Sequence, residues 1–118
     1  MTNVQDRKSL LVQVIHDGMG AADAALQHNL LRKYLLLLQE NNNLPDAICF
    51  YTSGVKMVAE GSPVLDTLQA LEARGVRLIV CRTCLDYFGL LDQVRVGIVG
   101  GMGDIIAAQQ LADKVFTL

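Results

Sequence analysis

Short aliphatic runs alternate along the chain with segments whose apolar residues recur at helical spacing. The runs are nearly continuous, as in strands that are covered on both faces. This alternation predicts an α/β domain with a mainly parallel sheet. The predicted strands are 9–15, 47–51, 76–81, 94–98 and a terminal strand, 115–118. The predicted helical segments are 23–40, 55–60, 62–74, 83–90 and 104–114.

The segment 23–40 predicts the longest helix, with Asp23 as its N-cap residue. An i, i+4, i+8 spacing predicts a core-facing stripe made of Leu26, Leu30, Tyr34 and Leu37 or Leu38. Three further leucines fall outside that stripe: Leu31, Leu35 and Leu36. So broad an apolar surface predicts burial on two sides, one against the sheet and one against another subunit.

Composition favours one well-packed domain that associates with copies of itself. The chain has 118 residues and a mass of 12.9 kDa, which is the size of a single domain spanning 1–118. Residues of the apolar types make up 52% of it, and most of them are aliphatic. A domain this small has more apolar surface than one core can hide, so we expect a homo-oligomer.

Charge and hydropathy exclude several classes of partner. The net charge is −2, and the ten lysines and arginines are scattered, so we expect no nucleic-acid partner. No apolar run is long enough for a membrane span, and no secretory signal is apparent at the N-terminus. We therefore expect a cytoplasmic protein. In that reducing compartment the three cysteines would be thiols rather than disulfides.

The sequence 81–84, Cys-Arg-Thr-Cys, is the most informative group for chemistry. Cys81 falls at the carboxyl end of a predicted buried strand, where open α/β sheets place their ligand crevice. Cys84 follows one helical turn later, so the two sulfurs could meet. Backbone N–H groups of that turn, with Arg82 beside them, would favour a thiolate at Cys81 that holds sulfane sulfur as a persulfide. The alternative is that both cysteines are small buried hydrophobes.

Other residues near this strand end are weaker candidates. His16 ends the first strand and could serve as a base, although a loop histidine with a local hydrogen bond is a simpler interpretation. Ser53, Gly54 and Lys56 could supply hydroxyl, N–H and ammonium groups to an anionic substrate, and Lys56 could equally be a solvated charge. We expect no metal, because a structural zinc needs four ligands and there is no second CxxC. Cys49 is predicted to be core, and His28 has no assigned role.

Several segments together resemble the DsrE/DsrF-like family, and most closely the DsrE-like domain of the YedF proteins. They are Met19-Gly20 with Asp23, Tyr51-Thr52-Ser53-Gly54-Val55-Lys56, Glu60-Gly61-Ser62-Pro63-Val64-Leu65, the stretch from Val80 to Leu90, and Met102. The resemblance implies a three-layer α/β/α fold with a parallel five-stranded sheet in the order 4-3-2-1-5. It also implies assembly into trimers or hexamers.

For function, the resemblance implies a sulfur relay in which Cys81 is the residue that carries persulfide sulfur. Cys84 is an addition typical of the YedF-like, selenium-linked branch. YedF proteins also carry a TusA-like domain that this chain lacks, so a separate protein or a small molecule would be the sulfur donor. The family's Met-Gly-x-Gly-Asp loop reads Met-Gly-Ala-Ala-Asp at 19–23, which argues against an anion-binding role for that loop.

Taken together, these observations favour a persulfide carrier, or a sulfurtransferase-like protein, without a cofactor. Cys81 would be the nucleophile, and Cys84 would resolve its persulfide by forming a disulfide. Its partners would be sulfur-donor and sulfur-acceptor proteins or small thiols. Two alternatives stay open: a non-catalytic oligomeric module that binds a ligand or partner, and a thiol redox sensor. Exposure of Cys81 distinguishes the carrier from the module, because a carrier needs an accessible thiol.

Overall fold

The computed structural model describes residues 8–118, and its centre is a five-stranded parallel sheet. The strands are β1 (Leu10–Val14), β2 (Ala47–Phe50), β3 (Arg77–Cys81), β4 (Ile98–Gly100) and β5 (Lys114–Thr117). Their order across the sheet is β4-β3-β2-β1-β5, which confirms the predicted order. Every residue of β1 and β2 is buried, as the continuous apolar runs predicted.

Helices cover the sheet. They are α1 (Ala24–Glu40), α2 (Leu65–Ala73), α3 (Arg82–Tyr87) and α4 (Met102–Leu111), with 3-10 helices at Thr52–Val58 and Leu91–Gln93. The chain moves in one direction from β1 to β4 and then returns past β1 to β5. Because parallel crossovers are right-handed, α4 lies on the opposite face of the sheet from α1 and α2. The fold is the predicted three-layer α/β/α arrangement. Within residues 8–118, no helix is both long and apolar enough to cross a bilayer.

The fourth strand was predicted over 94–98 and instead occupies Ile98–Gly100. Val94 forms an isolated bridge with Ala59, and the N–H of Arg95 donates to the carbonyl of Val58 at 2.8 Å. The predicted run therefore pairs with the end of the 3-10 helix and not with β3. It reaches the sheet only after Gly97, whose φ of 87° turns the chain.

The side of α1 that faces the core was also predicted wrongly. Its fully buried residues are Leu31 and Leu35, whereas Leu26, Leu30 and Leu37 are among the exposed large hydrophobic residues of the structure. Tyr34 and Leu38 pack only at the margin of the core. Leucines occur on several sides of this helix, so two of its faces have similar apolarity. The spacing of the leucines alone therefore does not indicate which face is buried.

Candidate functional site

The two cysteines lie where β3 passes directly into α3. Cys81 is the last residue of β3 and the N-cap residue of α3, and Cys84 follows in the first turn. The two thiols lie close enough to interact, and the Cys81 thiol raises the pKa of Cys84. Cys81 is only 1% exposed, while Cys84 is partly exposed. The structure therefore brings the predicted pair together, but Cys81 lacks the exposure expected of a carrier thiol, and Cys84 is the more accessible of the two.

Backbone N–H stabilisation falls on a different thiol from the expected one. Cys81 makes no side-chain capping hydrogen bond with α3. Instead, the N–H of Thr52, the first residue after Tyr51 at the end of β2, donates to Sγ of Cys84 at 3.1 Å. Thr52 was not a predicted site residue.

Thr52 has an uncommon backbone conformation for a β-branched residue. Its φ is 49°, in the left-handed region that normally costs such residues free energy. Its Oγ1 lies 2.5 Å from the carbonyl oxygen of Ile15 and 2.7 Å from that of Tyr51, and it has one proton to donate to them. The segments that follow β1 and β2 and the first turn of α3 thus meet at Thr52.

Gly54 lets the 3-10 helix approach the end of β1 very closely. A Cβ at this position would lie 1.8 Å from the carbonyl oxygen of Val14. That same oxygen accepts the N–H of Tyr51 at 3.2 Å, which fixes the backbone just before Thr52. Gly54 is buried, and its role here is this close packing.

Burial shapes the acidity of two of the thiols. It raises the pKa of Cys84 above the usual range, and the Cys81 thiol adds to the rise, while the N–H of Thr52 acts in the opposite direction. Burial also raises the pKa of Cys49 to about 11, partly opposed by the positive charge of Arg77. Cys49 lies inside β2 and is completely buried, which confirms its predicted place in the core.

A cavity of about 460 Å³ opens beside these elements. Its polar lining includes Lys56 and a pair in which Nε2 of His28 lies 2.8 Å from Oδ1 of Asp17. Within residues 8–118, Lys56 belongs to none of the ion pairs. Its ammonium lies 4.8 Å from the centroid of the Phe88 ring. The remaining lining residues are Met57, Ala59, Glu60, Gly61, Ser62, Pro63 and Leu90.

The cavity lies beside the first 3-10 helix and just beyond the C-terminal end of α3, where Phe88 lines it. Thr52 touches Cys84 at the start of these elements, and four residues further along each of them Lys56 touches Phe88. Four residues correspond to about 6–8 Å along such helices. Cys84 therefore lies about one turn from the wall of the cavity.

The other predicted residues lie around this site without lining the cavity. Ser53 and Gly54 are within the 3-10 helix, and Arg82 is exposed at the first position of α3. His16 forms a tight bridge with Gly18 in the loop after β1. The roles predicted for these residues stay predictions. Sequence reasoning missed His28, because its partner Asp17 is 11 residues away in a loop and no periodicity links the two.

The candidate site does not include a ready-made metal centre. Within residues 8–118 no group of three or more His, Cys, Asp and Glu side chains is arranged to hold a metal ion. The geometry supports the chemistry of two adjacent thiols near a cavity whose lining includes the ammonium of Lys56.

Comparison with known proteins identifies relatives at the level of family and fold. The sequence model of the DsrE/DsrF-like family matches residues 9–118, nearly the entire chain. No curated protein sequence gives a significant match.

Three solved structures share the fold. The ychN protein from E. coli is 21% identical with a TM-score of 0.66, and the match covers 93% of this chain and 99% of that one. MTH1491 from Methanobacterium thermoautotrophicum is 18% identical with a TM-score of 0.70, covering 95% and 100% of the two chains. BT1422 from Bacteroides thetaiotaomicron is 17% identical with a TM-score of 0.67, covering 93% and 95%. The last two are described as proteins of unknown function.

Proposed function

We propose that this chain, which belongs to the DsrE/DsrF-like family, accepts sulfane sulfur as a persulfide on the pair Cys81 and Cys84 and passes it to an acceptor thiol. The family is associated with sulfur relay in general. The observation that carries the proposal is the proximity of the two thiols, which lie three residues apart where β3 passes into α3, one of them partly exposed. Isolated core cysteines would have neither the contact nor the exposure.

The transfer follows thiol exchange chemistry. A thiolate of the pair attacks the outer sulfur of a donor persulfide R–S–SH, so that a new S–S bond forms as the donor S–S bond breaks. The donor leaves as the thiolate R–S⁻, and the protein holds a cysteine persulfide. An acceptor thiolate then attacks the outer sulfur in the same way and regenerates the protein thiolate. No external oxidant or reductant is needed in this cycle.

Lys56 gives the cavity a function in this scheme. Its ammonium has no carboxylate partner among the ion pairs of residues 8–118 and faces space large enough for a small molecule. In this scheme the Lys56 ammonium binds the anionic part of a small persulfide donor or acceptor. A donor or acceptor protein would place an anionic group of its own at the same position. A cytosolic location, where thiols stay reduced, agrees with this chemistry.

We also propose that the chain works as a trimer or hexamer. DsrE-like proteins are often oligomeric. Two surfaces carry exposed large hydrophobic residues, and a second copy of the chain would cover them. One is on α1, with Leu26, Leu30, Leu36 and Leu37, and the other is on α4 and β5, with Ile106, Leu111, Val115 and Phe116. Light scattering after size-exclusion chromatography should give three or six times 12.9 kDa, and a monomer would contradict this part.

The test of the sulfur-carrying role is intact-protein mass spectrometry after incubation with a small persulfide and removal of the excess. The wild-type protein should gain the mass of one sulfur atom or, once the two cysteines have closed into a disulfide with release of that sulfur, lose two hydrogens, and dithiothreitol should restore the starting mass in both cases. The matched control is the double variant Cys81→Ser/Cys84→Ser, which retains the buried Cys49. It should gain no sulfur. A wild type that shows neither change, or a double variant that gains sulfur as the wild type does, overturns the proposal.

A further inference from the structure

We propose, resting on the proposed function, that Cys84 is the thiol that accepts sulfur from the donor, that Cys81 resolves it, and that Thr52 is the positioning residue for Cys84. This order is the reverse of the one predicted from the sequence. It follows from three features of the structure: the unequal exposure of the two sulfurs, the N–H that points at one of them, and the strained residue that supplies this N–H.

Exposure separates the two thiols first. Attack on a donor persulfide needs a sulfur that the donor can approach along the line of the bond being broken. Cys81 is 1% exposed at the end of a buried inner strand, so a donor cannot reach its sulfur in the folded protein. Cys84 is partly exposed in the first turn of α3, about one turn from Phe88 in the cavity lining. A donor can therefore reach Cys84 more readily than Cys81.

Hydrogen bonding favours the same thiol. The N–H of Thr52 donates to Sγ of Cys84 at 3.1 Å, and a donor of this kind stabilises a negative sulfur. Cys81 makes no side-chain capping bond with α3. A persulfide on Cys84 would keep the contact with the Thr52 N–H, because the N–H touches Sγ and leaves the outer sulfur free.

Strain at Thr52 indicates that the surrounding structure holds this contact in place. A threonine at φ 49° is disfavoured and would relax to an extended or helical conformation if nothing held it. Its hydroxyl is the holding group, since Oγ1 lies within hydrogen-bond distance of the carbonyl oxygen of Ile15 at the end of β1. The hydroxyl thus acts on Cys84 through the backbone without touching the thiol.

The groups that influence the charge of Cys84 come from three elements. From β3 the Cys81 thiol faces it directly. On its own helix α3 the charged neighbours are Arg82 and Asp86, both exposed, and on the 3-10 helix the charged residue is Lys56. None of these three charges contributes to the altered pKa of Cys84. Burial and the Cys81 thiol raise that pKa, and the N–H of Thr52 is the group that lowers it.

When no acceptor thiol takes the sulfur, a resolving step internal to the protein releases it. The Cys81 thiol, which lies next to its partner, attacks Sγ of the Cys84 persulfide. The Sγ–S bond breaks, a disulfide forms between the two cysteines, and the outer sulfur leaves as hydrosulfide with the proton of Cys81. Sulfane sulfur is reduced by two electrons, and the two thiols are oxidised. A dithiol reductant then restores the pair.

The order is tested by exposing Cys81→Ala and Cys84→Ala to a slight excess of a small persulfide and following the mass over time. Cys81→Ala should gain one sulfur at about the wild-type rate and keep it, because it has no resolving thiol. Cys84→Ala should gain sulfur at least 10-fold more slowly. The opposite pattern, loading of Cys84→Ala and none of Cys81→Ala, overturns the order and leaves the carrier role intact. No loading of either single variant defeats the carrier role itself. Thermal unfolding of each variant verifies that it is folded.

The role of Thr52 is tested with two close variants. Thr52→Val keeps the shape and removes the hydroxyl, whereas Thr52→Ser keeps the hydroxyl, so serine should rescue what valine loses. We expect Thr52→Val to lower the alkylation rate of Cys84 at neutral pH about 10-fold, the factor for losing a hydrogen bond to a charged group.

The rate of Cys84 alkylation as a function of pH should reach its midpoint at higher pH in Thr52→Val than in wild type or Thr52→Ser. Lower stability alone would not move this midpoint upward. Identical pH profiles for Thr52→Val, Thr52→Ser and wild type refute the positioning role, and peptide mapping confirms that Cys84 is the alkylated residue.

Discussion

Replacing Gly54 by alanine tests whether the close approach of the 3-10 helix to β1 holds the site together. The new Cβ would lie 1.8 Å from the carbonyl oxygen of Val14 and 2.5 Å from its carbonyl carbon. Real Cβ contacts are essentially never under 3.0 Å, so the backbones have to separate by about 1.2 Å. Both clashing partners are backbone atoms of a buried strand, and no side chain can rotate to relieve the contact.

The size of the effect follows from what this separation breaks. Forcing extra volume into a packed region costs about 1–3 kcal/mol. The hydrogen bond from the N–H of Tyr51 to the same carbonyl oxygen is lost or lengthened, which adds about 1 kcal/mol. We therefore expect Gly54→Ala to lower the free energy of unfolding by about 2–4 kcal/mol. For a chain of this length that corresponds to a fall in Tm of about 8–16 °C.

Equilibrium unfolding in urea, followed by circular dichroism, measures this change directly. Gly103→Ala is the matched control, because Gly103 lies within α4 and no atom is within 4 Å of a Cβ built there. Alanine favours helix over glycine by up to about 1 kcal/mol, so the control should be neutral or slightly stabilised. A Gly54→Ala protein whose free energy of unfolding lies within about 1 kcal/mol of the wild-type value would refute the packing argument, because even the smallest expected cost of the overlap would be missing.

Three further outcomes are expected elsewhere in the chain. Asp113 accepts the N–H and the hydroxyl of Ser9, which lower its pKa, so its stabilising effect is present at neutral pH and disappears as the pH falls through the folded-state pKa. Urea unfolding should therefore show that Asp113→Asn loses more stability at neutral pH than in acid, and an equal loss at both would contradict this. Cys49, with its pKa raised to about 11, should resist iodoacetamide in the native protein and react after unfolding in urea, as mapped by mass spectrometry; native labelling would contradict its burial. Lys56→Met should slow sulfur loading from an anionic donor more than from a neutral donor of similar size, and equal slowing would exclude an ionic role for Lys56.

The sheet could be predicted from the sequence because its inner strands are buried on both faces. Strand β2 reads as an unbroken apolar run and β1 as one interrupted only by the buried Gln13, and the strand order predicted from the family resemblance is the one in the structure. The Cys81–Cys84 contact was also predictable, because a spacing of three places two side chains on one side of a helical turn.

What could not be predicted depends on contacts between residues far apart in sequence. Thr52 draws attention only through its positive φ and its bond to a cysteine 32 residues away, and no local pattern signals either. The exposure of Cys84 relative to Cys81 depends on how α3 packs against the 3-10 helix. The short β4 was misplaced because 94–98 is apolar enough for a strand but pairs with the 58–60 segment.

The thiol geometry and the stability of the domain depend on the same few backbone contacts. The carbonyl oxygen of Val14 accepts the Tyr51 N–H and is closely approached by Gly54, and the next carbonyl, that of Ile15, is within reach of the Thr52 hydroxyl. A change that separates β1 from the 3-10 helix should therefore destabilise the fold and also withdraw the N–H from Cys84. Cavities made under α1, far along the chain from these contacts, should lower stability and leave the alkylation profile of Cys84 unchanged. Comparing the two classes of variant thus shows whether the geometry of the thiols depends on the strand-end contacts or only on the overall stability of the domain.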